Sequence, residues 1–89
     1  MDISFDPYKD RLNQKKHGIA LAEAAKVDWG EALEQLDDRC DYGEERYKAL
    51  VFIDGLLYSV IYVDRGGSRR ILSLRKANRR EYADYGRTY

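Results

Sequence analysis

The chemistry open to this sequence rests on one histidine, one cysteine and a concentrated run of cations. His17 carries an imidazole whose ordinary pKa, about 6.5, suits it to moving a proton at neutral pH. It follows Lys15 and Lys16 and precedes Gly18, so its rival role is a cation at the negative end of a helix, worth roughly 0.3–1 kcal/mol. Cys40 lies among Asp37, Asp38 and Asp41, carboxylates that disfavour a thiolate, so it reads as inert more readily than as a nucleophile. Residues 65–80 hold seven basic side chains (Arg65, Arg69, Arg70, Arg75, Lys76, Arg79, Arg80) and no acid. An arginine fork matches two phosphate oxygens and does not titrate near neutrality. With single copies of histidine and cysteine there is no nitrogen or sulfur pair at metal-ligand spacing; carboxylates could still hold magnesium, but the run of cations argues against needing it, and no cofactor is expected.

The acidic residues gather elsewhere. Residues 19–46 hold nine of the sixteen, so a chain of zero formal net charge still sets up a local positive field that draws a polyanion or an acidic protein. Eighty-nine residues with 44% hydrophobic side chains make one globular domain, expected over residues 1–89, with a single modest core. A lone cysteine allows no internal disulfide. No apolar run reaches the ~18–20 residues of a membrane span and no signal-peptide core opens the chain, so a soluble, cytoplasmic protein without a membrane partner is expected.

These side chains need elements to hold them. Asp6-Pro7 reads as the cap and first position of a helix that stops at His17-Gly18. An alanine-rich second helix is expected from Ala20 to about Trp29, with Leu21, Ala24, Ala25 and Asp28 on one face. Residues 31–39 are compatible with helix or strand, and 39–45 form a polar loop. Asp54-Gly55 between two β-rich runs, Tyr47–Ile53 and Leu56–Val63, predicts a tight hairpin. Gly66-Gly67 makes a second turn into Arg70–Arg75, and a charged helix follows from Lys76 to Gly86, with Ala77, Tyr82 and Tyr85 to dock it. The fold class is therefore α+β: two N-terminal helices, a three- to four-stranded antiparallel sheet and one C-terminal helix.

Several stretches, taken in order, resemble the BrnT toxins. They are Phe5-Asp6-Pro7-x-Lys9 with Asn13-x-x-Lys16-His17-Gly18-Ile19, then Glu23-Ala24-Ala25-x-Val27, then Gly43-Glu44-Glu45-Arg46-Tyr47. Ile71-x-Ser73-x-Arg75-Lys76-Ala77, with Arg79-Arg80-Glu81 and Tyr85, closes the series. The resemblance runs from about Phe5 to Tyr85. It implies a RelE-like fold, a short edge strand in residues 31–39, ribonuclease activity, and neutralisation by a BrnA-type antitoxin that also binds operator DNA. Ala20, Trp29-Gly30 and Leu74 depart from the family pattern; Ala20 replaces a polar cap, so the second helix is expected to fray at its start.

Metal-free RNA cleavage uses the ribose 2′-hydroxyl as nucleophile, a base for its proton, cations for the phosphorane and an acid for the departing oxygen. On that chemistry the catalytic candidates are His17, Arg65, Arg75, Lys76 and Glu81, with Arg65, Arg75 and Lys76 on phosphate. The RNA-binding candidates are Lys9, Lys16, Arg79, Arg80 and Tyr85; Lys9 and Lys16 read equally as solvated helix charges, and Arg79 and Arg80 read as solvated charges of the last helix before phosphate contacts. Tyr58 and Tyr62 share a strand face and read as core before base-stacking. An antitoxin is expected to lay an acidic or strand-forming segment over Arg65, Arg75 and Lys76. The competing reading is a non-enzymatic module, a degenerate toxin whose basic third binds nucleic acid or protein.

Overall fold

Asp6 accepts the Tyr8 amide at 2.9 Å and Pro7 opens the first helix, α1 (Pro7–His17), which Gly18 ends in the left-handed region at φ 72°. The structure, a computed structural model, describes residues 1–39 and 41–88, so Cys40 and the expectation about its thiol lie outside the described residues. Among the described residues, five strands follow the order β1-β5-β4-β3-β2 across one sheet: β1 (Asp2–Ser4), β2 (Leu33–Asp37), β3 (Arg46–Ile53), β4 (Leu56–Arg65) and β5 (Ser68–Lys76). The second helix, α2 (Arg79–Thr88), closes the chain. Asp54 and Gly55 take φ of 50° and 82° between β3 and β4, as a two-residue hairpin turn demands.

Two expectations need correction. The sheet has five strands and is mixed, because β1 lies parallel to β5; three residues are too few to show a strand period, and the partner lies more than sixty positions away. The alanine-rich segment is not an α-helix. It forms 3₁₀ turns over Leu21–Lys26 and Trp29–Glu31. Leu21, Ala24 and Val27 are buried whereas Ala25 and Asp28 are exposed, and a spacing of three residues is the period of a 3₁₀ helix. Ala20 supplies no side-chain cap. Asp10 of α1 does so instead, accepting the Leu21 amide at 2.8 Å.

One face of the sheet carries the core. Ala49, Val51, Ile53, Tyr58, Val60, Tyr62, Ile71 and Leu74 pack there with Leu21, Ala24 and Val27, so Tyr58 and Tyr62 belong to the core. The opposite face carries Lys48, Leu50, Phe52, Leu57, Ser59, Ile61, Ser73 and Arg75, as the cross-strand pairs Lys48–Ile61–Ser73, Leu50–Ser59–Arg75 and Phe52–Leu57 require. The α2 helix docks on part of that face: the Tyr85 ring meets Phe52 edge-on at 5.1 Å, and the Tyr82 hydroxyl accepts the Leu57 amide at 3.1 Å.

Helix α1 is fastened to the sheet by Asn13. Strand β1 pairs with β5 only through Arg70, so the rest of that edge needs other partners. Buried Asn13 donates to the carbonyls of Leu74 and Ile19, each at 2.9 Å, and accepts the Leu74 amide at 3.1 Å. A side-chain amide thereby continues the ladder where the strand ends. Asn13→Ala, which leaves two buried backbone groups of Leu74 and the half-buried Ile19 carbonyl unanswered, should lower the unfolding free energy by about 2–3 kcal/mol; urea unfolding would read this as a lower midpoint at unchanged slope.

Candidate active site

The part of the sheet face that α2 leaves open forms a concavity of about 220 Å³, lined by Lys16, His17, Arg39, Lys48, Ser59, Ile61, Ser73 and Arg75. Three separate stretches of chain build it. The end of α1 brings Lys16 and His17, the strands bring Lys48, Ser59, Ile61, Ser73 and Arg75, and the loop after β2 brings Arg39. Four lysines and arginines thus surround one imidazole.

His17 is half-buried. Burial, and then the charges of Lys16 and Arg75, push its imidazole below the ordinary value of 6.5. A ring that resists protonation is a poor cation for the helix terminus and a competent proton acceptor at neutral pH.

Arg75 is held by Glu81, the first carboxylate of α2. Its guanidinium donates to both carboxylate oxygens at 2.8 and 2.9 Å, and Lys48 Nζ lies 2.6 Å from the same carboxylate. Glu81 also accepts the Asn78 amide at 2.9 Å while the Asn78 side chain accepts the Glu81 amide at 2.8 Å, a reciprocal cap at the start of α2. Burial alone would raise this carboxyl. The hydrogen bonds from Arg75, Lys48 and Asn78 outweigh it and hold the group down to about 2. A carboxylate so engaged keeps little basicity and has no proton to give at neutral pH.

Of the ten site candidates, the structure brings His17, Lys16, Arg75 and Glu81 together. Lys76, Arg79 and Arg80 are exposed and follow Arg75 at the end of β5 and in the first turn of α2. Lys9 lines an adjoining groove. Arg65 is elsewhere: it lies opposite Ser68 while Arg75 lies opposite Ser59, so the two arginines sit about 20 Å apart along the sheet, and Arg65 pairs with Glu44 at 2.8 Å. Tyr85 gives its hydroxyl to the Glu31 carbonyl at 2.6 Å and its ring to Phe52, contacts that dock α2.

Arg39, Lys48, Ser59 and Ser73 are the site residues that sequence reasoning missed. Lys48 had a signal, a lysine between Tyr47 and the apolar run Ala49–Ile53 of one strand, where a charge must meet a partner or a ligand. Arg39 had none: it comes from a polar loop and is aimed by a bidentate pair with buried Asp37, at 2.8 and 2.9 Å.

The family model described as ribonuclease toxin, BrnT, of type II toxin–antitoxin systems matches residues 5–81. No curated protein matches the chain.

The Glu81 cluster should be visible as pH-dependent stability. The carboxyl falls from 4.5 to about 2 on folding, so it stabilises the fold fully above the unfolded value and loses that contribution as pH falls toward 2. The shift corresponds to roughly 3 kcal/mol at neutral pH. Glu81→Gln should therefore cost about that amount at pH 7, less at pH 3, and almost nothing near pH 2. Denaturant unfolding across this range provides the test, and a gap between variant and parent that stays constant with pH would contradict the assignment.

Proposed function

Because the chain belongs to the BrnT family, the ribonuclease toxins of type II toxin–antitoxin systems, we propose that it is an endoribonuclease whose centre is the cationic concavity around His17. The observation that carries this reading is one half-buried imidazole set among Lys16, Arg39, Lys48 and Arg75, where burial and the neighbouring cations favour its neutral form. Those are the parts needed for attack by the 2′-hydroxyl on the adjacent phosphate.

In this reading neutral His17 takes the 2′-hydroxyl proton. The 2′ oxygen bonds to phosphorus, and the bond from phosphorus to the 5′ oxygen breaks. Arg75 and Lys48, fixed from behind by Glu81, face the charge that builds on the non-bridging oxygens, and Arg39 and Lys16 close the rim. Donors already in place for a developing charge cost no reorganisation at the moment of reaction. The departing 5′ oxygen takes its proton from water, to which the rim is open, and the hydroxide left behind takes the proton from the His17 imidazolium, restoring the neutral ring. The products are a 2′,3′-cyclic phosphate and a free 5′-hydroxyl. With four cations facing the phosphate, no metal ion is required.

Glu81 is a positioning residue here. Lys76, Arg79 and Arg80 extend the track for the RNA backbone beyond Arg75, and Lys9 extends it along α1. Arg65 and Tyr85 have no part in this centre.

Membership of a type II family implies an antitoxin protein as partner. We place it as a BrnA-type protein that covers Arg75 and Lys76 with an acidic or strand-forming segment and carries the toxin to operator DNA. An extended segment reaching Arg65 as well would have to run about 20 Å along the sheet.

Expression from a tightly controlled promoter should arrest growth with loss of RNA integrity. Arg75→Ala should relieve both and lower the purified rate by about 10²–10³, while antitoxin binding weakens but persists through Lys76 and the rest of the covered surface. The pH dependence should be a rise with unit slope to a plateau, with the bend below 6.5, and His17→Ala should remove the bend. Intact RNA and normal growth with a folded parent protein would favour the binding-only module instead.

A further inference from the structure

We infer that the groove between α1 and β5 is a nucleobase subsite, which receives the base on the 5′ side of the scissile phosphate. The inference rests on the ribonuclease reading above and adds to it where the rest of the nucleotide goes. The groove is a second concavity of about 250 Å³ that shares Lys16, His17 and Ser73 with the cationic one and adds Lys9, Leu12, Asn13 and Leu72. The two lobes meet at His17. A nucleotide with its phosphate among the cations and its base in the second lobe sets its ribose, and hence the 2′-hydroxyl, beside the imidazole.

Two side chains give the second lobe an apolar lining. Leu12 is 49% exposed on α1 and lines the groove. Leu72 is there because of a bulge. Ile61 pairs with Ser73 but its neighbour Tyr62 pairs with Ile71, which leaves Leu72 as the extra residue on β5. Bulges re-aim side chains, often beside active sites. This one delivers Leu72 to α1, on the edge that Asn13 secures.

The same geometry limits selectivity. The Asn13 amide uses both its oxygen and its nitrogen on backbone groups of Ile19 and Leu74, so it does not read a base edge. Two leucine side chains hold a base by its faces, and every base has them. The subsite therefore accepts purines and pyrimidines, with the larger purine favoured by contact area.

The test is a titration of the intact protein, followed by NMR of leucine methyl groups, the His17 ring and the Arg75 side chain. The probes are inorganic phosphate and, separately, adenosine and cytidine 3′-monophosphates. Phosphate should move His17 and Arg75 alone. Both nucleotides should also move the Leu12 and Leu72 methyls, and Leu12→Ser, at an exposed position, should weaken nucleotide binding by about threefold to tenfold without changing phosphate affinity. Nucleotide shifts confined to His17 and Arg75 would overturn the subsite and leave the ribonuclease centre standing. No response of His17 and Arg75 to any probe would overturn the centre and the subsite together.

Discussion

A buried carboxylate is the constraint around which this molecule is arranged. Glu81 is 4% exposed, and an ion taken out of water at that depth must be paired and hydrogen-bonded or it costs several kcal/mol. Its partners come from three places: Arg75 on β5, Lys48 on β3 and the Asn78 amide at the helix start. The requirement therefore fixes where α2 lies on the sheet, and the helix then decides which part of the sheet face stays open. Each cation that satisfies Glu81 also lines the open part. Removing the carboxylate would loosen α2 and free two cations at the same time, so the stability and the electrostatics of the site share one origin.

A second constraint sets the opposite wall. Strand β1 protects only the first residues of β5, and the exposed remainder would otherwise offer unpaired backbone groups to another chain. Asn13 answers this from within α1, which puts the helix alongside β5. The left-handed residue Gly18 then ends the helix one position after His17. Asp10, one turn before Asn13, caps the following 3₁₀ segment, which carries Leu21, Ala24 and Val27 over the covered face of the sheet. The segment Asp10–Gly18 thus closes an edge, starts the core covering and delivers the imidazole.

Much of this was legible in the sequence where the information is local. Asp6-Pro7, Gly18 and Asp54-Gly55 act through their own backbone angles, and each lies where those angles predict. The edge strand at Leu33–Asp37 agrees with the family resemblance. The failures are non-local. Strand β1 has no period to read and exists through its pairing with β5. The alanine-rich segment has strong helical propensity, but packing at every third residue and a cap borrowed from Asp10 make it 3₁₀. Arg65 and Arg75 look equivalent in the chain, since both lie near strand ends, yet an antiparallel pair sends the two C-terminal ends in opposite directions along the strands. In the candidate site, His17 and Arg75 could be named from residue type and family signature. Lys48 and Arg39 could not be assigned without knowing which strands are neighbours.

The polarised charge of the sequence takes on a different meaning once the strands are paired. Arg65 meets Glu44, Arg69 meets Glu34 and Asp64, and Arg75 meets Glu81, so three of the seven cations in residues 65–80 are answered by acids outside that run, two of them its immediate neighbours. Arg69 is used structurally: it also lies 4.4 Å from the ring centres of Trp29 and Tyr62, on the core side of the sheet. The positive field is correspondingly narrower than the sequence suggests, and it is concentrated where Lys16, Lys48 and Arg75 converge and along the exposed Lys76, Arg79 and Arg80. A protein of zero net charge has little general attraction for a polyanion. Its grip on RNA must come from a few cations at short range, and a partner able to cover that one concavity would remove most of it.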